Sequence, residues 1–238
     1  MVALEKKFKN PDPKWLKGQS AWEESLPLNA EWTLLTPTAA HSDSKTEFQV
    51  QTDGRVLAAA PKKATERSII SFPLPLLDIK AIRIDALTDP SLSNGARSCG
   101  RKTCAIAGKS RDRFRRCEAG TIAETEQKRD PIQREISFSN AFADVTQVDF
   151  KAKDVIAEKS NNAKGWAIAG FTGREHALTF LTKGSESYRG PGKLLLTSVK
   201  HRNTRKTYIR GLRISVSDDS RIADLADISP DIRAAFAY

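Results

Sequence analysis

The stretch Glu47–Ala58, EFQVQTDGRVLA, decides the fold class of this chain. Its first half alternates apolar and polar residues, which is the period of a strand with one buried face. Asp53 and Gly54 then separate this half from a second apolar run. An Asp-Gly pair between two such runs is a strong hairpin signal. The stretch therefore predicts two neighbouring antiparallel strands.

Further runs with strand character lie on both sides of this hairpin. The run IKAIRIDAL, Ile79–Leu87, places Ile82 and Ile84 on one face and Arg83 and Asp85 on the other. The remaining predicted strands are Glu31–Leu35, Ser68–Leu74, Glu135–Phe142, His176–Thr182, Lys193–Val199 and Tyr208–Ser217.

Helical patterns are confined almost entirely to the two ends of the chain. Lys151–Lys159 is one weak helical candidate between the strands, and no β-α-β alternation is present. The sequence therefore predicts an all-β fold, an antiparallel jelly-roll-like β-sandwich with short N- and C-terminal helices. In the N-terminal helix, Trp15 and Trp22 can share one face, and they are expected to be exposed interface residues. Ser229 is the expected N-cap of the C-terminal helix.

Three regions follow from these patterns. Residues 1–28 are expected to be a linker with a helix, 29–220 the β-sandwich domain, and 221–238 a second linker with a helix. Within the sandwich, 96–125 is expected to be irregular and basic, and disorder is one alternative for it.

The net charge of +10 is concentrated in one stretch. Residues 97–134 contain 11 Lys/Arg and 5 Asp/Glu, and they also hold all three cysteines, Cys99, Cys104 and Cys117. The cysteine spacing is not C-x-x-C, so unpaired thiols are expected rather than a metal site. This stretch and Lys200–Lys206 are the only support for nucleic-acid binding, and no aromatic residues alternate with the basic ones.

The loop before the strand His176–Thr182 carries the candidate ligand-binding residues. Trp166 lies between glycines and could be a platform for a sugar ring, or it could plug the core. Arg174, Glu175 and His176 could bind a hydroxylated ligand or a sulfate. The alternatives are a solvated turn for the first two and a partly buried, hydrogen-bonded histidine for the third.

No pattern of catalytic residues occurs in the sequence. A nucleophile elbow, an H-E-x-x-H motif and a Gly-rich phosphate loop are all missing, so the protein is not expected to be an enzyme. Asp218 and Asp219 are adjacent and are expected to form a turn. Asp144 and Asp149 could contribute to a structural Ca²⁺ site, although no concentrated acidic loop is present and no metal or other cofactor is expected.

Seven segments of the chain together resemble the β-sandwich segment of the large planctomycetal cytochrome c-type multidomain proteins. The resemblance covers about Ala21 to Ile232, and its most specific blocks are DALTDPSL, NAFADVTQ and GWAIAGFTGREH. The seven segments are AWEESL, EWTLLTPTAA, DGRVLAAAPKK, IKAIRIDALTDPSL, SNAFADVTQVDF, GWAIAGFTGREHALTF and YIRGLRISVS.

This resemblance implies a galactose-binding-like or carbohydrate-module-like sandwich, and it implies no catalytic residue. The haem motif C-x-x-C-H is absent from this sequence. The expected function is a non-catalytic binding or assembly module, with polysaccharide as its ligand. The first alternative is a structural spacer that packs against flanking domains of a larger protein. A basic nucleic-acid-binding protein is a less favoured alternative.

The same resemblance leads to an expectation about location. The related large proteins look exported, so the segment is expected outside the cytoplasm as part of a larger protein. The first residues contain no apolar signal region, so this chain expressed alone is expected to stay in the cytoplasm. No apolar run reaches the roughly 18 residues of a membrane-spanning helix, so no span is expected.

One stretch departs from the family pattern. Where the family continues with a Gly-rich turn and an alternating strand, this chain has ARSCGRKTCAIAGKSRDRFRRCEAG from Ala96 to Gly120. Two hypotheses explain the difference. In one, Ala96 to about Cys117 is a frame-shifted translation of the expected strand. In the other, the stretch is a genuine basic surface insertion.

Overall fold

A computed structural model provides the three-dimensional structure. It describes residues 12–43, 45–59, 65–73, 78–88, 113–122, 133–156, 165–168, 171, 174–184, 193–201, 211–229 and 232. Within these ranges, two antiparallel sheets form a sandwich, which confirms the predicted all-β class. Most of the basic stretch, namely residues 97–112 and 123–132, lies outside the described residues, and so do the cysteines at 99 and 104.

The strands are β1 Thr33–Leu34, β2 Ala39–Ser42, β3 Phe48–Val50, β4 Val56–Ala58, β5 Thr65–Pro73, β6 Ala81–Leu87, β7 Arg113–Ile122, β8 Gln133–Ile136, β9 Phe138–Ala143, β10 His176–Thr182, β11 Lys193–His201 and β12 Gly211–Ser217. The larger sheet has the strand order β3-β4-β12-β6-β10-β9, with β1 also paired to β12, and the smaller sheet has the order β2-β5-β11-β7-β8.

The predicted hairpin is present as β3 and β4, which pair through Gln49 and Leu57 at their centres. Gly54 lies in the turn with φ +80°, a conformation that favours glycine. A Cβ atom at this position would also lie 3.1 Å from the carbonyl oxygen of Leu35. Both the backbone angle and this close approach explain why the turn requires glycine.

Strand β6 lies in the middle of the larger sheet, and its side chains separate as the sequence predicts. Ile82 and Ile84 are fully buried in the core between the two sheets. Arg83 and Asp85 point to the opposite side, which we call the outer face of the larger sheet. The core also contains Phe72 from the smaller sheet.

A second apolar cluster covers part of the outer face. It contains Ala81, Phe142 and Leu181 from the sheet, together with Ile222. Ile222 belongs to a 3-10 helix, Ser220–Asp227, which begins at the Asp219 cap. This helix packs on the sandwich and lies before the helix predicted to begin at Ser229, almost entirely within the region 221–238 for which the sequence predicted a linker with a helix.

Two further differences from the sequence predictions concern strands. Arg113–Ile122 forms strand β7 and pairs with both β11 and β8, although it falls within the range 96–125 that was expected to be irregular. Ala39–Ser42 forms β2 at the edge of the smaller sheet and was not predicted. Its sequence, AAHS, contains no β-branched or aromatic residue, so pairing with β5 rather than local preference determines its conformation.

The structure describes the predicted N-terminal helix and parts of the other two predicted helical regions. Helix α1 covers Pro13–Ser25, and the weak internal candidate is a single 3-10 turn at Ala152–Val155. At the C-terminus, the Ser229 hydroxyl accepts a hydrogen bond from the backbone N–H of Ile232 at 3.4 Å. None of the helices in the described ranges is long and apolar enough to cross a membrane.

Candidate ligand-binding site

Trp166 is a core residue. Its side chain has 0% exposed surface and belongs to the cluster between the two sheets. The indole Nε1–H donates to the carbonyl of Val145 at 2.8 Å, so its polar atom is satisfied as well. A ring without an accessible face cannot stack on a sugar. Trp166 therefore fills the core, as the alternative interpretation of the sequence expected. The proposal that it contacts a ligand is wrong.

His176, the first residue of β10, links the loop before this strand to Asp144, which directly follows β9. Its side chain is buried, and Nδ1 forms a hydrogen bond with Oδ2 of Asp144 at 2.9 Å. Its Nε2 forms a hydrogen bond with the carbonyl of Phe171. Asp144 Oδ1 also accepts from the backbone N–H groups of Val145 and Ala177, at 2.7 and 3.1 Å. These bonds position the loop and leave the imidazole inaccessible to a ligand.

Arg174 and Glu175 are exposed, as expected for a solvated turn. Glu175 Oε2 lies 3.5 Å from Nη2 of Arg213, which is a long and partly exposed ion pair. Such pairs contribute little to stability. The sequence thus brings Arg174, Glu175 and His176 together along the chain, but their side chains do not converge on a common pocket.

Polar side chains converge instead on the outer face of the larger sheet, around Asp85. Asp85 is 5% exposed, and its carboxylate lies between Arg83 of the same strand and Arg213 of the neighbouring strand β12. Arg83 Nε donates to Oδ1 at 2.7 Å, and Arg213 Nε donates to Oδ2 at 3.2 Å. A buried carboxylate requires such partners, because an unpaired buried charge is strongly unfavourable.

A pocket of about 240 Å³ opens beside this cluster. The strands of the larger sheet form its floor, and the Ser220–Asp227 helix with the segment after α1 forms its walls. Its polar lining residues are Arg83, Asp144 and Thr179. Its apolar lining residues are Pro27, Leu28, Trp32, Phe142, Ala177, Ile222, Leu225 and Ile228.

Trp32 and Arg83 form the most distinctive pair in this pocket. The guanidinium carbon of Arg83 lies 5.7 Å from the centroid of the Trp32 ring, within the range of a cation–π contact. Trp32 is only partly buried, in contrast to Trp166. Sequence reasoning missed Trp32 as a site residue. The sequence indicates that Trp32 lies next to a strand and that Arg83 points outward. It does not indicate that the two side chains contact each other.

No acidic cluster suited to a metal ion occurs within the described ranges. Asp144, one of the two residues considered for Ca²⁺, already binds His176 and two backbone N–H groups. Asp149 lies in a turn with φ +69°. The two residues considered for Ca²⁺ therefore do not join other carboxylates around a common point.

No model of a known family matches the chain, and neither a curated protein nor a solved structure matches it. The functional inference therefore depends on the geometry of the outer-face pocket.

Proposed function

We propose that this protein is a non-catalytic carbohydrate-binding module and that the outer-face pocket is its binding site. The observation that supports this most is the combination of Trp32, Phe142 and the Arg83 guanidinium in one open pocket. Sugars present both C–H faces and hydroxyl groups. Aromatic side chains suit the first and charged hydrogen-bond donors suit the second.

The size of the pocket limits what it can hold. At about 240 Å³ it is smaller than the roughly 300–1,000 Å³ typical of sites for drug-sized ligands. It suits one sugar unit of a chain better than a long segment. Mostly apolar walls with a few polar groups are the common composition of a small-molecule site.

A binding role fits this pocket better than a catalytic role. Hydrolysis of a glycosidic bond usually needs two carboxyl groups facing each other across the substrate. Asp85 is held by two arginines, and Asp144 is held by His176 and backbone N–H groups. Neither carboxylate is placed to act as a free acid or base.

The resemblance to the planctomycetal cytochrome c-type proteins belongs to the same proposal. A module of this kind, within a larger exported protein, would hold that protein on a polysaccharide outside the cytoplasm. The expected partners are then a polysaccharide and the flanking domains of the larger protein.

The test is a glycan array probed with the wild-type chain and with Trp32→Ala. We expect saccharide binding that is lost in Trp32→Ala, because the change removes both an aromatic wall and the support of Arg83. Trp15→Ala is the matched control, since Trp15 is 68% exposed on α1 and does not line the pocket. Absence of binding to any saccharide, or equal loss in both variants, would contradict the proposal.

A second candidate function is that of a spacer that packs against other domains. Helix α1 buries none of its residues, and it exposes Trp15, Leu16 and Trp22 by 68, 48 and 42%. Exposed large apolar side chains in one helix favour an interaction surface. Under this alternative, the array detects no saccharide binding. The exposed helix makes the isolated chain self-associate in sedimentation velocity, and Trp15→Ser with Trp22→Ser reduces this association.

A further inference from the structure

The pocket contains hydrogen-bond donors that the described part of the protein does not use. Within that part, the Arg83 side chain makes one hydrogen bond, from Nε to Asp85. A guanidinium carries five N–H groups, so the four on its two Nη atoms remain for another acceptor. The side chain is 37% exposed and lines the pocket.

Thr179 adds a second unused group next to Arg83. The two residues are direct partners in the β10–β6 ladder. Thr179 is 6% exposed and lines the pocket, and its hydroxyl forms no hydrogen bond with any residue that the structure describes. The Thr179 hydroxyl therefore borders the pocket beside Arg83 and can bond a ligand as donor or acceptor.

The carboxylates around the pocket already have donors. Both oxygens of Asp85 receive bonds from arginines, and both oxygens of Asp144 receive bonds from His176 or from backbone N–H groups. The Thr179 hydroxyl can donate or accept, whereas the Nη groups of Arg83 are donors only and belong to a cation in a partly apolar site. Such a site favours a ligand that brings a negative charge.

We infer that the pocket selects an anionic saccharide, in which a carboxylate or sulfate group binds the Nη fork of Arg83 and a neighbouring oxygen binds the Thr179 hydroxyl. This inference rests on the proposed saccharide-binding function and adds the ligand class. Trp32 keeps the guanidinium in place through the cation–π contact. A fork held in this way loses little freedom when it binds an anion with two parallel hydrogen bonds.

Calorimetric titration with galacturonate, galactose 6-sulfate and galactose tests the inference. We expect at least one of the two anionic sugars to bind about tenfold or more tightly than galactose, since charge-assisted hydrogen bonds are the stronger kind. Tighter binding of only one of them identifies the anion. Arg83→Gln removes the preference, and Arg83→Lys weakens it, because lysine keeps the charge and loses the fork. Thr179→Val lowers the affinity several-fold.

Arg55→Gln is the matched control, because Arg55 has a similarly exposed side chain at 35% and does not line the pocket. It removes the same charge and should leave the preference intact. If Arg83→Gln does not fold, Arg83→Lys and Thr179→Val still decide the result. Equal affinity for galactose and both anions overturns the inference and leaves the proposed function standing. An anion preference that keeps its wild-type size in Arg83→Lys and an unchanged affinity in Thr179→Val have the same consequence. If none of the three sugars binds, the inference is overturned, and the glycan array decides the proposed function separately.

Discussion

The inner and outer faces of the larger sheet are built from alternate residues of the same strands. On β6, Ile82 and Ile84 enter the core, while Arg83 and Asp85 lie on the outer face. The inner face is continuously apolar, whereas the outer face keeps ionised groups beneath a partial apolar cover. Partial cover lowers solvent access without removing it, so ion pairs there can both stabilise the sheet and recognise a ligand. The inner face specifies the fold, and the outer face carries the proposed binding site.

Trp166→Ala should have the largest effect on stability, because it removes a fully buried indole from the core. Truncation of a buried Phe or Trp typically lowers the free energy of unfolding by about 3–5 kcal/mol. Denaturant unfolding with tryptophan-independent detection, such as far-UV circular dichroism, measures the change. A loss below about 1 kcal/mol would show that Trp166 does not belong to the inner-face core.

Asp85→Asn should have the next largest effect, on the outer face. The change leaves Arg83 and Arg213 without their shared carboxylate, and hydrogen bonds to charged groups contribute about 1.5–3 kcal/mol. Both arginines are partly exposed, so we expect a value at the lower end of that range. Asp53→Asn is the control, because its ion pair with Arg55 is more exposed. Equal destabilisation by the two variants would remove the distinction between a covered and an open ion pair.

Trp32→Ala distinguishes a pocket tryptophan from the core tryptophan Trp166. Trp32 is only partly buried, so its loss should lower the free energy of unfolding by less than half of the Trp166→Ala change. Trp32→Ala should reduce the free energy of saccharide binding by more than it reduces the free energy of unfolding. Thermal melts and calorimetric titration of the same samples provide both values. A stability loss as large as that of Trp166→Ala would make Trp32 a core residue and not a pocket wall.

The smallest effect should come from acid titration of Asp219, at the start of the helix that borders the pocket. The side-chain hydrogen bonds from Arg221 hold the pKa of Asp219 below its ordinary value. A carboxylate with a lowered pKa stabilises the fold at higher pH, and this contribution is lost as the pH falls through that pKa. We therefore expect the melting midpoint of the wild type to fall more than that of Asp219→Asn between about pH 5 and pH 3.

Asp12→Asn is the control for this titration. Asp12 caps α1 by accepting from the backbone N–H of Lys14, but α1 buries none of its residues. The melting midpoint of Asp12→Asn should therefore follow the wild type over the same pH range. A pH dependence of Asp219→Asn that equals the wild type would show that this cap does not stabilise the helix.

Local sequence patterns were sufficient for the parts of the fold that depend on neighbouring residues. The Asp53-Gly54 turn and the two faces of β6 follow directly from residue spacing. Strand β10 has the predicted bounds, His176–Thr182. These features could be predicted because a period of two residues fixes which side chains share a face.

The candidate site depends on contacts between distant segments, and for that reason the sequence did not reveal it. Trp32 and Arg83 are far apart along the chain and meet only because the segment before β1 crosses the outer face. Trp166 lies in a glycine-flanked loop that resembles an exposed rim, yet the loop folds inward and buries it. Whether an aromatic residue in a loop is a platform or a plug depends on this tertiary packing.

The indole N–H resonances of the four tryptophans show directly whether a saccharide binds at the outer-face pocket. In a ¹H–¹⁵N titration with galacturonate, we predict a saturable shift of the Trp32 signal. The Trp166 signal should stay in place, because its indole N–H is buried and bonded to Val145. The Trp15 signal on α1 should also remain unchanged. A titration in which the Trp32 signal does not move, or in which only signals from α1 move, would contradict binding at the outer-face pocket.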